Sequence, residues 1–250
     1  MTDIKEKKKV EYSIEIKDLK IIYRTLQKTS IRQNIFKFQK NSMDKFEALR
    51  GVSFKVQKGQ VLGVVGKNGS GKSTLLKAMA GVFAPDEGTI DMKGYSVSLL
   101  SIGVGFQRKL TGRENIYLSG MLLGFDEAFI KNKEDEIIEF SELGDFIDKP
   151  VKTYSSGMYS KLAFSITAVL ETEIMLVDEV LSVGDKKFRE KSYRKMRELI
   201  SDDDRTVVIV SHSTDTLQEL CDKILWIHDG VVKEYGEKDI VLPHYNEFMS

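Results

Sequence analysis

Three short stretches of the 250-residue chain hold side chains suited to phosphate chemistry. Gly66-Lys67-Asn68-Gly69-Ser70-Gly71-Lys72-Ser73 follows the pattern G-x-x-x-x-G-K-[ST], with the apolar run Val61–Val65 before it and Leu75-Leu76-Lys77-Ala78-Met79 after it. Glycines let such a backbone curl until successive N–H groups point inward and cradle β- and γ-phosphate oxygens, and a following helix adds its positive end. In that setting Lys72 bridges the phosphates, Ser73 ligates Mg²⁺, and Thr74 sits beside it in the first turn. The second stretch is Ile174-Met175-Leu176-Val177, which delivers Asp178 and Glu179 to a strand end. One carboxylate there can hold a metal through its water shell, and the other can orient and deprotonate an attacking water. The third is Val207-Val208-Ile209-Val210, followed by Ser211 and His212, whose ring N–H can hold a γ-phosphate and sense its loss. The glycine loop therefore holds a nucleoside triphosphate.

The elements that carry these residues are legible from the same pattern. VLGVV, IMLV and VVIV are short, rich in β-branched residues and apolar on both faces, as parallel strands buried between helices are. Each is followed at once by polar residues, and ligands of open α/β sheets sit beyond the carboxyl ends of the strands, so the three ends converge on one site. Towards the N-terminus IEIKDLKIIY, VSFKV and TIDMK alternate partly, which predicts a small antiparallel layer beside the parallel core. Thr111-Gly112-Arg113-Glu114 has the form of a capping box, and IIEFSELGDFI has helical spacing. Residues of about 110 to 168 thus form a helical lobe inserted in an α/β core made of 1–109 and 169–250, all within one domain.

Composition limits the function classes. The 38 Lys and Arg balance 38 Asp and Glu, so no global field recruits nucleic acid. The one cysteine, Cys221, cannot form an internal disulfide. MTDIKEKKKV is charged with no apolar segment behind it, and no stretch reaches the ~18 apolar residues of a membrane span. Any membrane role is that of a peripheral subunit on the cytoplasmic face.

Tyr154-Ser155-Ser156-Gly157-Met158, ahead of the helical run YSKLAFSITAVL and upstream of Asp178, supplies the discriminating element. With it, the chain from about residue 12 to 245 resembles the nucleotide-binding subunits of ABC transporters, whose signature has the form L-S-G-G-Q. The resemblance implies a P-loop NTPase core, ATP with Mg²⁺, and two copies meeting head to tail. Each ATP then lies between one copy's phosphate loop and the other's Ser155, Ser156 and Gly157, a helix-end anion site supplied in trans. By the same resemblance Asp178 helps hold the metal and Glu179 is the base, with Lys72 and His212 also in the catalytic group. Gln107 is the glutamine near Mg²⁺ and the membrane partner. Ser182-Val183-Gly184-Asp185 crosses the dimer interface, and Tyr23 is the aromatic that stacks on adenine, with Phe46 as its rival.

Val180, Gly184, Ser156 and Met158 depart from the commonest family pattern, and the stretch 24–44, RTLQKTSIRQNIFKFQKNSMD, is an insertion. These departures occur together with LTGRENI in a branch that this chain resembles, the ATPase subunits of polysaccharide, O-antigen and teichoic acid exporters. That implies a lipid-linked glycan, teichoic acid foremost, moved outward by a separate permease that the ATPase drives, in a short form without a C-terminal sugar-binding domain. The insertion mixes basic residues with Phe36 and Phe38, which fits either a solvated loop or a surface that lies on headgroups or on the permease. An ABC-type machine acting on nucleic acid or protein would bring coiled-coil insertions or tandem cassettes, and a P-loop kinase would leave the SSGM motif without a use.

Overall fold

The structure, a computed structural model, describes residues 11–25, 44–100, 105–178, 184–202 and 204–249. The insertion predicted at 24–44 falls almost wholly outside them, as do Glu179, Val180, Ser182 and Val183.

Strands β1 (Tyr12–Thr25) and β2 (Asp44–Gln57) pair antiparallel along most of their length. Strands β3 (Val61–Val65) and β4 (Glu87–Asp91) flank helix α1 (Lys72–Met79), and β4 completes a three-stranded layer in the order β2-β1-β4. A second sheet takes β3, β5 (Val97–Leu100), β6 (Ile174–Asp178), β7 (Thr206–Val210), β8 (Lys223–His228) and β9 (Val231–Glu237) in the order β5-β6-β7-β3-β8-β9. Every neighbouring pair in it is parallel except β8 with β9. The two-residue alternation of side chains feeds two cores at once. Val208 and Val210 of β7 join the core under the antiparallel layer, with Leu62, Val64, Leu75, Val52 and Phe54. Val207 and Ile209 join the opposite one, with Phe164, Phe188, Met196 and Trp226. The fold is therefore the α/β arrangement the sequence predicts, with its antiparallel layer at the N-terminal side.

From Gly112 to Leu170 the chain is mostly helical: α2 (Gly112–Leu122), α3 (Glu127–Ser141) and α4 (Ser156–Leu170) enclose their own core of Ile116, Ile130, Ile137, Leu162, Ile166 and Leu170. The capping box at Thr111 and Glu114 is formed in both directions. The helical reading of IIEFSELGDFI holds only in its first half. Glu142 turns left-handed at φ 55°, and Gly144–Asp148 continue as a 3-10 turn. The break is held by charge, since the Glu142 carboxylate meets Lys191 at 3.2 Å and Lys161 at 3.6 Å. Helices α5 (Lys186–Ile200), α6 (Thr214–Leu220) and α7 (Lys238–Met249) complete the chain.

Candidate functional site

Strand register, more than any single contact, assembles the phosphate site. Val64 of β3 pairs with Val210 of β7, and Asp178 of β6 pairs with the same Val210. One row across three parallel strands therefore ends in Val65-Gly66, in Asp178 and in Ser211-His212, all on one edge of the sheet. Asp178 is only half-buried and His212 is exposed there.

The phosphate loop leaves that edge and folds back on itself. Gly66 is buried against β8, where a Cβ would stand 2.2 Å from the Ile227 carbonyl oxygen and 2.5 Å from Ser70 Oγ. Asn68 and Gly69 form the exposed crest of the loop. At Gly71, φ is 110° and a Cβ would come within 2.7 Å of the Ala48 carbonyl oxygen, so the residue that starts α1 must also lack a side chain. The Ser70 carbonyl accepts the Gly230 N–H at 3.0 Å, which fastens the loop to the β8–β9 turn. Lys72 is 6% exposed, and its Nζ donates to the Gly66 and Lys67 carbonyls at 2.7 and 3.0 Å. The ammonium thus sits within the curl of its own loop. Ser73 Oγ donates to Asp178 Oδ1 at 3.4 Å, so two hard oxygen donors from separate elements face each other beside the loop. That donor set suits Mg²⁺, which takes few protein ligands and completes its shell with phosphate and water oxygens. No cluster of three or more His, Cys, Asp or Glu suited to a metal occurs among the described residues.

The two aromatic candidates for the base turn out to be neighbours. Tyr23 lies directly across from Phe46 in the β1–β2 register. Tyr23 also reaches the loop's helix, with its hydroxyl 3.2 Å from Thr74 Oγ1 and its ring edge-on to Phe83 at 5.6 Å. Phe46 is 60% exposed. Gln107 is exposed, and its backbone is locked to the helical lobe. Buried Asn115 accepts its N–H at 2.7 Å and donates back to its carbonyl at 3.2 Å. Asn115 was invisible as a site residue because a polar position inside NIYLSG reads as part of a solvated face until its burial is known.

At the other motif, Ser155 is the N-cap of α4: it accepts the Met158 N–H at 3.2 Å and is exposed along with Ser156. Tyr154 ties the motif to LTGRENI, because its hydroxyl donates to the Phe146 carbonyl at 2.7 Å and lies where a side chain on Gly112 would stand. Burial pushes that hydroxyl up to about 12. Ser155, Ser156 and Gly157 line an open depression of about 420 Å³ together with Lys161, Gly184 and Asp185. None of its lining residues belongs to the phosphate loop. Asp185 caps α5 through the Phe188 N–H at 3.0 Å and takes Lys161 Nζ at 2.9 Å. The Lys161 ammonium, then that N–H, hold its carboxyl down at about 2.

A glycine loop running from a parallel strand into a helix, with a lysine inside it and a carboxylate from a second strand beside it, defines the class of P-loop nucleotide-binding proteins. Residues 49–182, more than half of the chain, match the family model described as ABC transporter, and the chain belongs to that family. It is 44% identical over 249 residues to the teichoic acids export ATP-binding protein TagH of Lactococcus lactis, covering 100% of this chain and 52% of that protein. It is 41% identical over 228 residues to the O-antigen export system ATP-binding protein RfbB of Myxococcus xanthus, with 91% and 52% covered. The chain thus spans about half the length of these curated relatives. Among solved structures, the ATP-binding cassette MJ0796, a dimer in a post-hydrolysis state bound to ADP and Pi, superposes with a TM-score of 0.70 at 19% identity, covering 90% of this chain and 98% of that one. An ATP-binding subunit of an ABC transporter gives 0.71 at 22% identity, with 93% of each chain covered. At those identities the likeness is one of fold.

Proposed function

We propose that this chain hydrolyses ATP as one half of a head-to-tail pair, and that hydrolysis powers export of a lipid-linked glycan, teichoic acid foremost, through a separate membrane permease. The observation that carries the reading is the division of the machinery. Lys72, Ser73 and Asp178 gather at one sheet edge, while Ser155, Ser156 and Gly157 open onto a surface that holds none of the phosphate loop. A second copy can bring that surface to the bound triphosphate, and the dimeric state of the MJ0796 cassette supports this arrangement. The teichoic acid and O-antigen export names of the relatives support the cargo class. No helix among the described residues is long and apolar enough to cross a membrane, in keeping with a peripheral subunit at the cytoplasmic face beside its permease. The lobe around Gln107 is the surface that would pass motion to that partner.

In this reading the Gly66–Gly71 backbone and the start of α1 hold the β- and γ-phosphates, and Lys72 exchanges its carbonyl partners for phosphate oxygens. Ser73 and Asp178 would hold Mg²⁺, which would supply positive charge against that of the triphosphate. Gln107 would approach the same ion in this reading. Glu179 takes a proton from the water as its oxygen bonds to the γ-phosphorus and the bond to ADP breaks. His212 holds the γ-phosphate and registers its departure. Across the pair, Ser155 and the α4 N-terminus close on the same phosphate, with Asp185 at the seam. Tyr23 stacks on the base.

The test uses the purified chain. Lys72→Ala should weaken ATP binding at least about tenfold, a loss of ~1.4 kcal/mol. Glu179→Gln should keep binding, lower turnover about a hundredfold or more, and accumulate an ATP-dependent dimer on size-exclusion chromatography. Normal turnover by the Glu179→Gln protein would reject that residue as the base.

A further inference from the structure

The ring assigned to the base is held by a residue outside every motif described so far. The β1–β4 ladder makes its last pair at Lys20 and Glu87, yet β1 continues for five more residues, to Thr25. Past the end of the ladder Asp86 takes over the strand's work. Its own N–H donates to the Lys20 carbonyl at 2.9 Å. Its Oδ2 accepts the Ile22 N–H at 2.7 Å, which the missing strand would otherwise have paired. Its Oδ1 takes Arg24 Nη2, also at 2.7 Å. One carboxylate therefore grips the chain immediately before and immediately after Tyr23.

The same connector between α1 and β4 supplies Phe83, whose ring meets Tyr23 edge-on with an interplanar angle of 88°. On its far side the Tyr23 hydroxyl reaches Thr74, two residues beyond Lys72. The aromatic ring is thus fixed at its backbone by Asp86, on its edge by Phe83 and at its tip by the first turn of α1. Phe46 across the ladder is mostly exposed. Ordering a tyrosine before the ligand arrives removes an entropic cost from stacking.

We propose that Asp86 is a positioning residue for base recognition, holding the Ile22 N–H and the Arg24 side chain on either side of Tyr23 so that its ring stands ready over the nucleotide at a set distance from the phosphate loop. The proposal rests on the reading of Tyr23 as the stacking residue. It makes a claim that a merely structural role does not: loss of the clamp weakens binding of ligands that carry a base and spares those that carry only phosphates.

Isothermal titration of the full chain with Mg-ATP and with Mg-tripolyphosphate separates the two. Asp86→Ala should weaken ATP about fivefold, the scale of one aromatic contact, and leave tripolyphosphate unchanged. Asp86→Asn keeps an acceptor for the Ile22 N–H but loses the ion pair, and Arg24→Met removes the other arm of that pair. Each should give a smaller, ATP-only loss, and these two carry the test should the alanine variant fail to fold. Equal weakening of both ligands would reduce Asp86 to general support of the loop, and unchanged binding of both would overturn the clamp. Tyr23→Ala is the control for the underlying reading. If it leaves the preference for ATP over tripolyphosphate intact, the stacking assignment fails. If it abolishes that preference while the Asp86 variants keep it, the clamp alone fails.

Discussion

Helices α1 and α4 both begin at a glycine-containing motif and both lack an acidic residue in the first turn, which leaves their positive ends open to an anion. They differ in what surrounds the glycine. At the start of α1 the chain itself crowds in: a Cβ on Gly66 would meet the Ile227 carbonyl at 2.2 Å, and one on Gly71 the Ala48 carbonyl at 2.7 Å. Beside Gly157, in contrast, the nearest atom to an added Cβ is Ser155 Oγ at 3.8 Å. Capping differs in the same sense. α1 follows Gly71 with no side-chain cap, whereas the Ser155 hydroxyl caps α4. While accepting the Met158 N–H, that hydroxyl still has its own proton to donate outward. The phosphate loop is shaped by close contacts with its own molecule, whereas among the described residues nothing crowds Gly157.

Substitutions at Gly66, Ser155 and Gly157 test this difference. The largest effect is expected from Gly66→Ala, where overpacking against β8 costs about 1–3 kcal/mol and displaces the first residue of the loop. Thermal denaturation should show a lower midpoint and titration a weaker grip on ATP, and an unaltered protein would mean that the loop is not pinned by Ile227. Ser155→Ala comes next, removing an N-cap worth about 1 kcal/mol together with the donor proposed for the partner's phosphate. Its signature is modest destabilisation with ATP affinity of the isolated chain retained and turnover reduced. Gly157→Ala should change stability least, within about 0.5 kcal/mol, because among the described residues the nearest atom to the added Cβ is Ser155 Oγ at 3.8 Å, an ordinary contact. ATPase measurements should nevertheless show a loss of turnover. Full turnover in that variant would leave the depression beside Gly157 without a partner to fill it.

Much of this site was legible because its logic is local. The glycine pattern sets backbone freedom at Gly66 and Gly71, and three apolar runs each end in a polar residue. The structure adds the register in which Val64, Val210 and Asp178 share a row, and that register brings Ser73 to Asp178 across 105 positions of sequence. Asn115 and Asp86 are not legible as site residues, for a related reason. Asn115, inside LTGRENI, bonds the Gln107 backbone, Asp86 bonds the Ile22 N–H and the Arg24 side chain across 64 and 62 positions of sequence, and amide or carboxylate side chains read as ordinary surface residues until such partners are known. The rivalry between Tyr23 and Phe46 stayed open in sequence for the same cause, since only strand pairing shows them side by side.

The chemical alphabet is written locally in the amino-acid order: which loop can wrap a phosphate, which strands run buried on both faces, which serine starts a helix. Those properties depend on residues a few positions apart and on dihedral preferences that each residue carries with it. Which side chains meet, and what holds them, depends on how distant segments pack. The pairing of Ser73 with Asp178, the grip of Asp86 around Tyr23 and the depression that Gly157 lines with Lys161 and Asp185 are set by register and packing between distant segments. A one-residue shift in any of those strands would turn the same letters to the other face.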